Sequence, residues 1–199
     1  MSDSQLQVLG VVGSLNQNSV TRVVVQHVGN ALTQIGCRVD IFDPVREHLP
    51  LFNPDSSYSA AHYDPLQKRV AAADVLLLGT PDYHGSVSST LKNFLDHFWQ
   101  EFAGKLFATV VSSHEKGLTV TDQLRTVARQ CYAWSLPYGV SFVDREDVKD
   151  GMVVSDSLKK RLEMMVNDIR NYGRLLAEQR TRDLGGNEPG FMAKHRVKR

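Results

Sequence analysis

The stretch Leu6-Gln-Val-Leu-Gly-Val-Val-Gly-Ser-Leu-Asn-Gln-Asn-Ser-Val-Thr-Arg22 decides the fold. Its first half, Leu6 to Gly13, is β-branched and apolar over nearly its whole length and reads as a buried strand. A polar loop follows and runs into Val24, Val28, Ala31, Leu32 and Ile35, whose spacing by three and four puts them on one face of a helix. Gly36 then stands where a helix C-terminal stop belongs.

Outward from this unit the same alternation recurs. Arg38 to Asp43, Asp74 to Thr80, Leu106 to Ser112 and Tyr138 to Val143 read as four further short strands. Leu91, Phe94, Leu95 and Phe98 mark a helix expected to begin near Ser86, and Leu118 to Trp134 reads as another. A last helix carries Leu158, Leu162, Met165, Ile169, Tyr172 and Leu176. Repeated strand and helix, with right-handed crossovers, predicts an α/β fold: a doubly wound five-stranded parallel sheet of order 2-1-3-4-5. No repeat or linker divides the chain, so residues 1–180 are expected to form one domain. Residues 181–199 form a basic tail without periodicity, expected to be solvated or to wrap a partner subunit. Pro44 to Pro65 is irregular, polar and long for a connection, which makes it a candidate functional loop.

Composition excludes several classes. The 23 basic and 22 acidic residues leave a net charge of +1, too little for a whole-chain field toward nucleic acid or an anionic membrane. No apolar run approaches the roughly 20 residues of a bilayer crossing, and the opening Met1-Ser-Asp-Ser-Gln-Leu6 lacks the pattern of a secretory signal. Cys37 and Cys131 are too few for a disulfide framework or a cysteine-rich zinc site. A cytoplasmic, reducing location is expected.

In a doubly wound sheet, ligands bind at the C-terminal ends of the strands where strand order reverses. That selects the loops after the first, third and fourth strands. In the first, the unpaired amides of a helix N-terminus favour an anion, and Ser14, Asn16, Ser19 and Thr21 add side-chain donors, with Arg22 as a possible charge. Four such residues in eight positions exceed what helix capping needs. The Gly-Lys-Ser/Thr ending of a triphosphate cradle is absent, and so is the third glycine of the dinucleotide fingerprint. A monophosphate ester is the expected anion. Thr80-Pro-Asp-Tyr-His-Gly-Ser86 combines a proline and a glycine suited to a rigid turn, and Tyr83 with His84 forms an aromatic ledge for a flat ring. Ser112-Ser-His-Glu-Lys-Gly117 is polar and placed to reach the far edge of that ring.

Gly-Ser-Leu-x-x-x-Ser in the first loop, Thr-Pro-Asp-Tyr-His-Gly-Ser, and Leu-Lys-Asn-Phe-Leu-Asp after it together resemble the NAD(P)H-dependent FMN reductase family, from about Leu6 to Arg180. The resemblance implies a flavodoxin-like fold and FMN as cofactor. It further implies NADPH or NADH as donor, a small acceptor (flavin, quinone, azo compound or metal oxyanion) and a homodimer or homotetramer. It assigns phosphate contacts to Ser14, Ser19 and Thr21, and the ring to Pro81, Asp82, Tyr83 and His84. The full expected set adds Asn16, Val20, Arg22, Gly85, Ser112, Ser113, His114 and Gly117. Hydride passes from nicotinamide to flavin in such a site, so no side chain is needed as acid or base for that step, and the protein supplies orientation and electrostatics. Many members carry Arg where this chain has Asn16, so Arg22 or a partner subunit is expected to balance the phosphate. Many also have a glycine-rich loop after the fourth strand, unlike this chain.

Two other classes compete. A flavodoxin-type electron carrier would bind flavin without oxidising NAD(P)H itself; such carriers are usually strongly acidic, unlike this chain. A serine hydrolase needs a Gly-x-Ser-x-Gly elbow, and Gly85-Ser-Val-Ser-Ser89 lacks the closing glycine. His62, His84, His97 and His114 show no helical metal spacing, and His97 is expected on a helix surface or interface. Phe98 is assigned to the core, Trp99 and Phe102 to an interface.

Overall fold

A computed structural model describes residues 5–114 and 116–196. The opening four residues, Glu115 in the fourth-strand loop, and Val197, Lys198 and Arg199 of the expected tail lie outside the described residues.

The quoted stretch forms β1 (Gln7–Val12) and leads into α1 (Val20–Gln34). The helix ends as its glycine predicts: Gly36 adopts φ +89°, and the amide of Cys37 reaches back to the carbonyl of Leu32. Then follow β2 (Arg38–Phe42), α2 (Tyr63–Ala72) and β3 (Val75–Tyr83). A short β4 (Ser86–Val87) folds back antiparallel on β3 before α3 (Ser89–Asp96). Next come β5 (Leu106–Ser112), α4 (Leu118–Gln130), β6 (Trp134–Ser135) and β7 (Val140–Phe142). A small hairpin, β8 (Val148–Lys149) and β9 (Met152–Val153), precedes α5 (Asp156–Gly185).

The parallel sheet runs β2-β1-β3-β5, and β6 and β7 share its fifth position along β5. That is the expected 2-1-3-4-5 order. Alternation assigns the two faces. Val75, Leu77, Ala108 and Val110 pack with α1 and α5; Leu76, Leu78, Phe107 and Val111 pack with α2, α3 and α4. Burying each such large apolar side chain contributes about 1.5–3 kcal/mol, so both faces are covered by necessity.

Several expectations need correction. The fifth strand is split in two. Pro137 has no amide to give the ladder, and a Cβ on Gly139 would lie 2.6 Å from Thr109 Oγ1, so the chain bulges between the pieces. The expected helix to Trp134 stops at Gln130, because Tyr132 turns left-handed at φ +57° and Trp134 joins the sheet. The helix expected near Ser86 starts at Ser89; Ser86 and Val87 pair with β3, and Ser88 caps the helix by accepting from Leu91 N. Helix α2 emerges from the end of the segment read as irregular. His97 is 1% exposed, not on a surface. Its Nδ1 lies 2.8 Å from the carbonyl of Asn93, and its ring packs edge-on against Phe52 and His62. Phe102 is buried between Phe98 and Phe107, not at an interface, whereas Trp99 is exposed. The boundary expected after Arg180 falls inside α5. Beyond the helix, Phe191–His195 turns back, burying Met192 and laying Phe191 against Tyr132 and Trp134. Among the described residues no helix is long and apolar enough to cross a membrane, and no group of three or more His, Cys, Asp or Glu is placed to hold a metal.

Candidate functional site

The loops after β1, β3 and β5 meet at the C-terminal rim. Close backbone approach brings them there. Gly13 N donates to Gly79 O at 2.7 Å, and a Cβ on Gly13 would sit 2.5 Å from that oxygen and 2.7 Å from Leu91 Cβ. Ser88 Oγ donates to Gly13 O at 2.6 Å, and Ser88 N donates to Thr80 Oγ1 at 3.0 Å. The start of α3 is thereby stitched to the first loop.

That first loop is internally braced. Ser14 Oγ accepts from Asn16 N, Asn16 Oδ1 from Asn18 N, and Ser19 Oγ from Arg22 N, as an N-cap does. Three of the four polar residues therefore also do the local work of turn and cap. Acceptance leaves the protons of both serine hydroxyls and of the Asn16 amide to donate outward. Arg22 differs from expectation. Its Nε and one terminal nitrogen hold Asp43 at 2.6 and 3.0 Å, and the other donates to the carbonyls of Asn16 and Gln17. Burial opposes the Asp43 charge, but hydrogen bonds from Arg22 and Val45 N, with the charges of Arg22 and Arg46, prevail and lower its pKa. Arg22 is a brace that fixes the loop's shape; its charge is spent before any ligand arrives.

In the second loop, β3 and β4 are joined by His84 and Gly85, at φ +58° and +73°. Both central residues in the left-handed region match the tight type I′ hairpin turn, which glycine adopts freely and histidine at a cost. Two groups hold the hairpin. The Asp82 carboxylate accepts from Gly85 N at 2.8 Å and from Ser113 Oγ at 2.9 Å, tying the β3 loop to the β5 loop. From α4, Gln123 accepts from Ser86 Oγ and Val87 N and donates to Gly85 O.

Between these loops lies a cleft of about 190 Å³, lined by Ser14, Asn16, Ser19, Val20, Thr21, Pro81, Asp82, Tyr83, Ser112, Ser113 and His114 together with Asn18 and Asp144. Eleven expected residues are thus brought together. Four stand elsewhere: Arg22 in a neighbouring cleft, His84 and Gly85 at the hairpin turn, and Gly117 at φ +60° as the N-cap of α4. Asn18 and Asp144 escaped the sequence reading. Asn18 was in the quoted loop, and Asp144 follows the fifth strand, where the rule of C-terminal strand ends also points. The cleft offers neutral donors and the α1 N-terminus on one side, and the 58% exposed Tyr83 on another. That suits an anion carried on a flat ring.

A family model described as NADPH-dependent FMN reductase matches residues 6–147. An FMN-dependent NADPH-azoreductase of Staphylococcus haemolyticus is 28% identical over 176 residues, covering 81% of this chain and 92% of that relative. Among solved structures, the flavoenzyme NAD(P)H:(acceptor) oxidoreductase of Paracoccus denitrificans superposes with a TM-score of 0.69 at 20% identity, covering 85% of this chain and 97% of that one. An NADH:FMN oxidoreductase in its apo form gives 0.68 at 19%, covering 83% and 89%. At such identities these two structures show a shared fold.

Proposed function

Because this chain belongs to the NADPH-dependent FMN reductase family, we propose that it is an FMN-dependent NAD(P)H oxidoreductase that delivers reducing equivalents to a small acceptor. The observation that carries the reading is the convergence of three braced loops on one cleft at the switch point of the sheet. The residues present fit the cofactor. Ser14, Asn16, Ser19 and Thr21 with the first amides of α1 suit its phosphate, and a Cβ on Gly13 would collide with the backbone that closes the loop. Bound FMN would supply the redox chemistry between nicotinamide and acceptor.

The chain's own part is orientation and charge. The β3–β4 hairpin, fixed by Asp82 and Gln123, would present Pro81, Asp82 and Tyr83 to the ring of a bound flavin. Ser112, Ser113 and His114 face the same cleft from the end of β5 and would supply polar groups to a bound flavin.

The relatives named azoreductases make an azo compound the first acceptor to try, beside quinones, free flavin and metal oxyanions. Subunit association and a cytoplasmic location are part of the same proposal. An open groove between α3 and α4, with Val87, Leu118 and Val127 in its lining, suits a second copy, and the free thiols of Cys37 and Cys131 suit a reducing compartment. Light scattering and cell fractionation test these two points. The activity test is steady-state oxidation of NADPH and NADH by the FMN-loaded chain with each acceptor class. Turnover with at least one acceptor supports the reading, and flavin binding without any nicotinamide oxidation returns the chain to the electron carriers.

A further inference from the structure

A second and larger cleft, of about 700 Å³, opens beside the first loop, between the N-terminal turn of α1 and the β8–β9 hairpin. We infer that this cleft seats the phosphoadenosine end of NADPH, and that Arg145 and Lys149 select the 2′-phosphate that distinguishes NADPH from NADH. The inference rests on the functional reading above and names the donor that the reading leaves open.

Three observations point there. First, the clefts are contiguous: Asn18, Ser19, Val20 and Asp144 line both. The flavin-side cleft, about 190 Å³, is smaller than the ~300–1,000 Å³ usual for small-molecule sites, whereas its neighbour, about 700 Å³, lies within that range. A dinucleotide whose nicotinamide enters the first has the second into which to extend.

Second, the charges in the larger cleft are of two kinds. Arg22 lines it, but its guanidinium is taken up by Asp43 and two loop carbonyls. Arg145 and Lys149 are exposed, and neither enters an ion pair among the described residues. They are the cations left to meet a phosphate monoester, which Arg grips through its planar fork and Lys as a point charge. The acids there, Asp144 and Asp150, are suited to accept from ribose hydroxyls, as acids do in dinucleotide sites.

Third, the backbone is strained where Arg145 is presented. Arg145 adopts φ +65°, a region that residues other than Gly, Asn and Asp rarely enter, whereas Asp150 and Gly151, at +49° and +73°, form the Asp-Gly type I′ turn of the β8–β9 hairpin. Hydrogen bonds around the hairpin hold Arg145 there. Val148 and Val153 are sunk in the core, Val143 N donates to Asp147 Oδ2 at 2.9 Å, Val154 N donates to Asp147 O at 2.8 Å, and Arg145 N donates to Val148 O at 3.2 Å. Strain of this sort persists where structure over-determines it and gathers at ligand clamps.

The test pairs a binding readout with a kinetic one. Calorimetry on the full chain compares adenosine 2′,5′-bisphosphate with 5′-AMP, in the wild type and in Arg145→Ala/Lys149→Ala. Both residues are exposed, so a matching thermal melt verifies that the variant folds. The wild type is expected to bind the bisphosphate at least tenfold more tightly than AMP, and the variant to lose that margin. The ratio of kcat/KM for NADPH to that for NADH is expected to fall about 10- to 100-fold, mainly through the KM for NADPH, as for one or two charge-assisted hydrogen bonds. Equal affinity of the wild type for the two nucleotides overturns the inference. So does an equal loss with both nicotinamides, or a loss that falls on FMN binding instead. Bisphosphate binding that depends on the two cations, in a chain that oxidises neither nicotinamide, would sustain the nucleotide site and sink the functional reading.

Discussion

One arginine and one lysine are buried in the described residues, one at each end of the sheet, and they are treated in opposite ways. Arg22, at the C-terminal rim, faces the buried carboxylate of Asp43 at 2.6 Å and two loop carbonyls. Lys105, just before β5 at the other end, is 1% exposed and meets only neutral partners: its Nζ donates to Ala71 O at 2.8 Å and to Ala73 O. Burial, with a smaller push from Arg180, brings its pKa down to about 7. At the rim a full charge is retained and cancelled by a fixed countercharge, so the loop keeps one shape and offers neutral donors to an incoming anion. At the opposite end the cation closes off the C-terminal carbonyls of α2, and Arg180 Nε likewise donates to Ala103 O. On the function proposed above, ligand chemistry falls at one end; at the other, polar groups are consumed in holding elements together.

Breaking the rim pair has the largest expected effect. Arg22→Met leaves Asp43 buried without its cation and is expected to cost about 3–5 kcal/mol in urea unfolding at pH 7. The sign with pH follows from the lowered pKa of Asp43. The stability from its pairing is complete above the ordinary carboxylate value and is lost as pH falls through the lower folded value. The gap between wild type and variant therefore narrows in acid, and a constant gap would show that the pair is not its source.

Asp82→Ala sharpens the contrast at the rim itself. It removes the acceptor for Gly85 N and Ser113 Oγ, and so unties the β3 loop from the β5 loop. FMN affinity is expected to drop about tenfold, with a stability loss of about 1–2 kcal/mol, as for two lost hydrogen bonds. Fluorescence titration and a thermal melt separate the two. Unchanged flavin affinity would place Asp82 outside the flavin's reach.

At the far end the effect is graded, spread over several pH units. Between pH 7 and 10 the unfolded chain holds a proton on Lys105 that the folded chain has released, so raising the pH favours the native state. Relative to Lys105→Met, wild-type stability is expected to climb by at most about 1.4 kcal/mol per pH unit across this window. A flat difference would mean that Lys105 stays charged when buried.

The same contrast explains what could be read in the sequence. The apolar runs 6–12, 75–78 and 106–111 give the sheet its order because each face is wholly covered, and the glycine, hydroxyl and proline clusters at their C-terminal ends name eleven residues of the candidate cleft. Features set by tertiary contact were not legible. Periodicity cannot tell that Arg22 will meet Asp43 from the end of β2, or that Gln123 will reach across from α4 to the hairpin. His97 and Phe102 carried no local sign of burial; they are buried because the segment before α2 and the end of α3 pack over them. The 190–196 turn lacks helical periodicity because it is held by Met192 and by Phe191 against Tyr132 and Trp134.

The central claim is that neutral donors of the first loop hold a phosphate while the neighbouring loops hold a ring. Calorimetric titration of the purified chain with FMN and, in parallel, with riboflavin tests it most directly. One FMN bound per chain, at least tenfold more tightly than riboflavin, is the expected result. Equal affinity for the two, or no heat with either, would contradict it.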